Sequence, residues 1–154
     1  MRTRNLVCAV GSFFLFSGGL AVHAQQPPAA PPLKETNWAK SFNYSAAKLH
    51  VPISLDQVRD VVKDSKRVKI LGSRHSFSTV ADTTGDLISL ENFNRLVSFD
   101  PEKRTVTIEG GMRYGPLSEY LHSKGYALHN LASLPHISVA GACSTSTHGS
   151  GIRN

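Results

Sequence analysis

The segment after Ser54 repeats its apolar residues at the spacing of an amphipathic helix. Charged residues occupy the opposite side of the same segment. Ser54 and Gln57 have the spacing of a capping box, in which Gln57 reaches back to the cap. The pattern predicts a helix of roughly ten residues. The residues of its apolar face are Leu55, Val58, Val61 and Val62.

Four short segments have the patterns of strands. The run 68–71 (VKIL) predicts a short buried strand, and 86–91 (DLISLE) alternates apolar with polar residues as a half-buried strand does. Segments 96–99 and 105–109 alternate in the same way, and the loop between them is polar and contains Pro101. This last pair therefore predicts a β-hairpin.

A second helix is predicted around Pro116, because proline suits the first turn of a helix. Leu117, Tyr120 and Leu121 would form its inner face, and Gly125 would end it. The order of helices, single strands and a strand pair predicts an α+β domain rather than a regular βαβ repeat.

The N-terminus has the pattern of an export signal. Arg2 and Arg4 precede the apolar stretch 6–22, and Val22-His23-Ala24 resembles a cleavage site. We expect residues 1–24 to be a signal peptide that directs the chain to the periplasm or outside the cell; an uncleaved membrane anchor is the alternative. The proline-rich stretch 25–35 predicts an extended linker, and the domain is expected to occupy 36–154.

Signal removal lowers the net charge from +6 to +4, because 17 basic residues less two arginines leave 15 against 11 acidic residues. The one basic cluster, 63–69, is interpreted as a solvated helix end, so no nucleic-acid partner is expected. Cys8 would leave with the signal. Cys143 then has no partner for an internal disulfide and is interpreted as a small buried residue.

The first segment with chemical character is 72–77 (GSRHSF). Its glycine allows a ligand close to the backbone, and backbone N–H groups with the hydroxyls of Ser73 and Ser76 can bind phosphate oxygens. Arg74 adds positive charge, and His75 is a nucleophile when its imidazole is neutral. Taken alone, this pattern favours an ordinary loop with a solvated histidine.

The second is 138–151, in which nearly every residue has a small side chain. Small residues over this length indicate that another surface lies close to the backbone, either a flat ligand or another part of the protein. No G-x-S-x-G, Walker or G-x-G-x-x-G motif occurs. His75, His136 and His148 lack the spacing and nearby carboxylates of a metal site, so no metal is predicted.

Together these segments resemble the FAD-binding domain of the vanillyl-alcohol-oxidase (PCMH-type) flavoproteins, most closely that of the alditol and xylitol oxidases and the gulonolactone and arabinonolactone oxidases. The resemblance covers residue 36 to the C-terminus. It implies the N-terminal part of that domain, with mixed sheets flanked by helices. The matching segments are 36–39 (TNWA), 71–77 (LGSRHSF), 110–111 (GG), 132–141 (ASLPHISVAG) and 147–149 (THG).

The resemblance implies FAD as cofactor, bonded covalently through His75. Ser133 would also face the substrate, and Ala132 matches a position that influences oxygen access, which leaves oxidase or dehydrogenase open. The residues implied around the phosphates are Gly72, Ser73, Arg74, Ser76 and Phe77. Those implied along the flavin ring and ribityl chain are Ser133, Ser138, Gly141, Ala142, Thr145 and His148.

The chain departs from the family pattern in two residues and in length. Arg74 and Ser146 stand where relatives commonly have glycine, and a positive φ at either would cost about 1–2 kcal/mol. Relatives also have a second domain that covers the substrate. We therefore expect this chain to be the N-terminal part of such a protein, truncated at its C-terminal end, and predict no catalytic residue in it.

The implied function is that of an FAD-dependent oxidoreductase. Such an enzyme oxidises a hydroxyl group of a polyol or sugar lactone by hydride transfer to the flavin, with oxygen or another acceptor taking the electrons. No stable membrane insertion is expected after signal cleavage. The alternatives are an inactive, truncated flavin-binding fragment and an exported module that binds metal through its histidines.

Overall fold

The computed structural model describes residues 35–149 and 151. The predicted signal peptide, 1–24, and the predicted linker, apart from residue 35, lie outside the described residues. None of the helices described in 35–149 is long and apolar enough to cross a membrane.

The described part of the chain contains helices, parallel strands and an antiparallel pair, which confirms the predicted α+β class. In chain order the elements are β1 (Lys48–His50), α1 (Leu55–Asp64), β2 (Val68–Leu71), a short 3₁₀ turn (Thr79–Ala81), β3 (Asp86–Ser89), β4 (Leu96–Asp100), β5 (Thr105–Ile108), α2 (Tyr114–Ser123) and α3 (Val139–Ser144).

The first three strands form a parallel sheet in the order β1-β3-β2. Leu87 and Ile88 of the central strand are both fully buried. The prediction that this strand is half-buried was therefore wrong, because β3 is covered on both faces. The prediction for β2 was right for the strand but wrong for its burial: Leu71 is buried, whereas Ile70 is 49% exposed.

The hairpin of β4 and β5 is antiparallel, as predicted, with a register irregularity between Leu96 and Ser98. It packs against α2 around a core of Met112, Leu117 and Leu121. A separate core lies on the parallel sheet and consists of Tyr44, Ala46, Leu71 and Leu87.

Helix α2 begins at Tyr114, so Pro116 lies in its first turn at the third position. Gly125 has φ +79° and follows the helix end, as predicted. The N–H of Tyr126 donates to the carbonyl of Leu121 at 2.9 Å, and the N–H of Gly125 to that of His122 at 2.9 Å. These two bonds make a Schellman motif, which satisfies carbonyl groups at the end of the helix.

Helix α1 has the predicted start. The N–H of Gln57 donates to Ser54 Oγ at 3.3 Å, while Gln57 Oε1 accepts from the N–H of Ile53 at 2.8 Å. The return bond therefore goes one residue before the cap. No residue of α1 is buried, and Leu55 is 60% exposed. The described residues thus leave the apolar face of α1 only partly covered.

Candidate functional site

A cleft of about 1550 Å³ opens where β2 and β3 end and where α3 begins. Pockets for small ligands usually enclose about 300–1,000 Å³, so this cleft has room for a larger ligand, such as a dinucleotide. Polar residues of the two predicted segments line it together with small ones. The residues of these segments that line the cleft are Gly72, Ser73, Arg74, His75, Ser76, Ser138, Ala140, Gly141, Ala142, Ser144, Thr145 and Thr147.

The turn after β2 is strained at Arg74, which has φ +64°. This conformation favours glycine, so the cost expected for the substitution applies here. Two contacts hold the turn: the Arg74 carbonyl accepts from the N–H of Trp38 at 2.8 Å, and Arg74 Nη1 lies 2.6 Å from Glu35 Oε2. The guanidinium of Arg74 is therefore paired with the carboxylate of Glu35, which partly neutralises its charge.

Asn37 also supports this turn, although the sequence did not identify it as a site residue. Its side chain is buried, and Nδ2 donates to the carbonyl of Ser76 at 3.1 Å and to Ser41 Oγ at 2.9 Å. The signal was present in the matched segment 36–39. The described N-terminal residues therefore support the turn that contains His75 through hydrogen bonds.

The two predicted segments meet at Ser138. Its N–H donates to Ser73 Oγ at 3.0 Å. A Cβ on Gly72 would lie 2.8 Å from Ser138 Oγ, and one on Gly141 would lie 2.6 Å from the same atom. Gly72 and Gly141 therefore make room for protein atoms, because Ser138 packs against them. The other small residues that line the cleft leave space for a ligand.

Helix α3 begins directly after Ser138. The N–H of Val139 donates to the carbonyl of Met112 at 2.9 Å, and the N–H of Tyr114 donates to the carbonyl of Ile137 at 3.1 Å. These bonds fix the segment before α3 against the start of α2. In α3, Cys143 is exposed, so the prediction that it is buried was wrong.

His75 lines the cleft between two other rings. Its ring centroid lies 4.8 Å from that of Trp38 and 4.4 Å from that of His136. Burial lowers the pKa of His75, and electrostatic repulsion from His136 and Arg113 lowers this pKa further. The surroundings therefore favour the neutral imidazole, which is the nucleophilic form.

Three residues from the resemblance do not line the cleft. Phe77 is 72% exposed, Ser133 is exposed, and His148 is exposed with Nδ1 2.8 Å from the carbonyl oxygen of Gly149. Ala132 is half-buried and also lies outside the lining. The cofactor roles of all predicted site residues stay predictions.

The lining also contains residues that the sequence did not single out for the site. Several lie at or after the carboxyl end of β3, and open α/β sheets commonly bind ligands at this edge. These residues lie beside the end of β2 because β2 and β3 are neighbours in the sheet, which their own segment does not reveal. Among them are Ser89, Leu90, Glu91, Asn94, Met112 and Arg113. Within 35–149, no group of three or more His, Cys, Asp or Glu side chains is arranged to hold a metal ion.

The residues of the cleft suit FAD. Hydroxyls and backbone N–H groups of Ser73 and its neighbours are donors that phosphate oxygens require. The small side chains of α3 let a flat ring approach the backbone. In addition, His75 Nε2 is buried without a hydrogen-bond partner among the described residues, so the His75 ring is not committed to another polar group.

Comparison with known proteins agrees with this geometry. The sequence pattern of the FAD binding domain family matches residues 46–154. Alditol oxidase from Streptomyces sp. is 43% identical over 122 residues, which are 77% of this chain and 29% of that protein. D-arabinono-1,4-lactone oxidase from Kluyveromyces lactis is 40% identical, over 74% of this chain and 23% of that protein. L-gulonolactone oxidase from Mus musculus is 35% identical, over 77% and 28%.

The chain thus spans less than a third of the length of these relatives. Among solved structures, a BBE-like 1 variant from Physcomitrella patens matches with a TM-score of 0.51 and 22% identity, over 73% of this chain and 24% of that one. This match supports the fold. The predicted family is therefore confirmed: the chain belongs to the FAD binding domain family, and its cofactor is FAD.

Proposed function

We propose that this chain is the FAD-binding part of an FAD-dependent oxidoreductase that oxidises a hydroxyl group of a polyol or sugar lactone. The similarity to alditol and aldonolactone oxidases supports both substrate classes. The single observation that carries the proposal is the placement of His75 at the cleft, on a turn bonded to Ser138, in surroundings that favour its neutral form.

The residues of the chain bind and orient the cofactor. The backbone of the turn 72–76 and the hydroxyls of Ser73 and Ser76 would hold the phosphates, and the small residues of α3 would lie along the flavin ring and ribityl chain. When bound, FAD supplies the acceptor for a hydride from the hydroxyl-bearing carbon, and oxygen or another acceptor then removes the electrons.

His75 also bonds covalently to the flavin in this proposal. His75 Nε2 is buried and has no hydrogen-bond partner among the described residues, so no other polar group of the chain competes for it. The bond would join an imidazole nitrogen of His75 to the flavin 8α carbon, and one C–H bond of that methyl group and the imidazole N–H bond would be lost. The two electrons and two protons released would pass through the flavin to dioxygen, which would become hydrogen peroxide.

We also propose that the protein acts outside the cytoplasm. The basic and apolar pattern of residues 1–24 supports export, and a covalent bond would prevent loss of the cofactor from an exported protein. The second candidate function is an inactive flavin-binding fragment.

The test is the intact mass and visible spectrum of the chain purified after export, before and after acid precipitation. We expect a mass increase equal to FAD less two hydrogen atoms and an acid-stable yellow colour, both absent from His75→Ala and retained in His122→Ala, which changes an exposed histidine of α2. A folded, colourless wild-type chain would contradict the covalent bond. Bleaching of the colour by xylitol or a gulonolactone without oxygen would support oxidation, and its absence would favour the inactive fragment.

A further inference from the structure

Three aromatic rings pack against one another beside the cleft. The ring centroids of His75 and His136 are 4.4 Å apart, those of Trp38 and His75 are 4.8 Å apart, and those of Trp38 and His136 are 6.0 Å apart. His75 therefore has neighbouring rings from two separate segments of the chain, and together they set the plane of its imidazole.

Backbone hydrogen bonds hold both neighbours in place. The N–H of Trp38 donates to the carbonyl of Arg74, the residue before His75, at 2.8 Å. On the other side, the carbonyl groups of the residues that flank His136 accept from N–H groups in the first turn of α2, at 2.7 and 3.1 Å. The position of His136 is thus fixed by the fold and does not depend on its own side chain.

Both histidines have an unpaired buried nitrogen. Nε2 of His75 and Nε2 of His136 lack hydrogen-bond partners among the described residues. Buried polar atoms in proteins are nearly always paired, so two unpaired nitrogens on touching rings call for a functional explanation. Protons on both rings would place two positive charges on rings whose centroids are 4.4 Å apart, which electrostatic repulsion opposes.

The other groups around His75 either oppose protonation of its ring as well or contribute no net charge. Arg113, at the start of α2, contributes a further positive charge, and burial disfavours the protonated ring. Trp38 has no charge, and Arg74 in the same turn is paired with Glu35 at 2.6 Å. No carboxylate is among the causes that act on His75. His136 is therefore the group in contact with the ring that can oppose its protonation.

We propose that His136 is a positioning residue for His75: its ring fixes the plane of the His75 ring, and a proton on His136 would oppose a second proton on the adjacent His75 ring, which favours the nucleophilic form of His75. This inference rests on the proposed function, in which His75 bonds to the flavin. His136 acts through His75 and takes no part in hydride transfer.

The test compares His136→Phe, which retains a ring and removes the charge, with His136→Lys, which has a permanent charge. The His75 ring is titrated by NMR in the chain without FAD, and its signals are assigned by their loss in His75→Gln. We expect the pKa of His75 to rise in His136→Phe and to fall in His136→Lys. The same two substitutions at His122 are the matched controls, and we expect them to leave the pKa of His75 unchanged.

The second measurement is the rate of covalent attachment after FAD is added, followed by intact mass at a series of pH values. Because the neutral imidazole forms the bond, the midpoint of the pH dependence should move to higher pH in His136→Phe and to lower pH in His136→Lys. A residue that only supports folding would lower the melting temperature without moving these midpoints in opposite directions.

The proposal would be overturned if His75 had the same pKa in the wild type, in His136→Phe and in His136→Lys. His136→Gln, which is uncharged, replaces the phenylalanine variant if that variant shows no cooperative melting, and it should shift the titration in the same direction. If the NMR shifts appear but the wild-type chain never gains the mass of FAD, the covalent bond is wrong while the effect of His136 on His75 stands.

Discussion

The backbone N–H of Ser138 donates a hydrogen bond to the side-chain oxygen of Ser73 at 3.0 Å, although 65 residues separate them in the chain. This bond joins the turn after β2 to the start of α3, the two segments that line most of one side of the cleft. Ser138 is buried, so its N–H has no access to water as a substitute partner.

Replacement of Ser73 by alanine should therefore destabilise the fold. A buried N–H left without its partner costs about 1–3 kcal/mol, and we expect the free energy of unfolding in urea to fall by that amount. Ser98→Ala is the matched control, since Ser98 is exposed on β4. Equal unfolding midpoints for the two variants would show that the bond contributes nothing.

The glycine of α3 should tolerate no larger side chain while Ser138 keeps its hydroxyl. A Cβ at position 141 would lie 2.6 Å from Ser138 Oγ, which is closer than packed atoms approach. We expect Gly141→Ala to lower the melting temperature, although alanine favours a helix by about 1 kcal/mol over glycine. Adding Ser138→Ala should restore most of the loss. If the double variant melts no higher than Gly141→Ala, the contact is not the cause.

Ser146 has φ +53°, a conformation that costs a residue with a Cβ about 1–2 kcal/mol. Ser146→Gly should therefore stabilise the chain, by about 0.5–1 kcal/mol after the greater flexibility of glycine in the unfolded chain is subtracted. The control is Ser118→Gly in α2, where glycine should destabilise the helix by a similar amount. Thermal unfolding of both variants shows whether each substitution raises or lowers stability. If both variants were less stable than the wild type, the backbone at Ser146 would not be strained.

At Arg74 the same relief of strain is opposed by a lost ion pair. Its side chain and that of Glu35 are each about one third exposed, so the pair contributes at most about 1 kcal/mol. Arg74→Gly should leave the free energy of unfolding within about 1 kcal/mol of the wild type. Glu35→Gln loses the pair without relieving the strain, so it should be the less stable of the two variants.

The lowered pKa of His75 makes stability depend on pH. Its folded-state pKa lies below that of the unfolded chain, about 6.5, so the unfolded state binds the proton more readily. The contribution of His75 is complete above about pH 6.5 and is lost as the pH falls through the folded-state pKa. His75→Gln should therefore flatten the pH dependence of the free energy of unfolding, measured in urea, below about pH 6.5.

Local patterns were sufficient to predict α1, α2 and the hairpin, because the periodicity, caps and turn residues of each lie within one short segment. The pairing of β3 between β1 and β2 was not predictable, since parallel partners are distant in sequence. β1 has only three residues, and α3 contains glycine and serine, which favour helices weakly. Neither had a usable signal.

The site divides in the same way. Segments 72–77 and 138–151 could be identified from their residue types and from a family resemblance. The residues after β3 reach the cleft through tertiary packing alone, so nothing in their own segment marked them. Asn37 lies in the matched segment 36–39, but only the fold shows that its side chain supports the turn at Ser76. The positions of Arg74 and Ser146 show the converse, because departures from glycine in the sequence correctly indicated where the backbone has positive φ.

The strand order β1-β3-β2 also has a consequence for how the chain folds. The outer strands β1 and β2 do not pair with each other. Each therefore lacks its hydrogen-bonded neighbour until Asp86–Ser89 inserts between them. During synthesis on the ribosome, the turn that contains His75 emerges before the strand that anchors it. Assembly of the flavin site must therefore wait for the third strand, because in the part of the chain that the structure describes neither β1 nor β2 is paired in the parallel sheet before residue 86 is made.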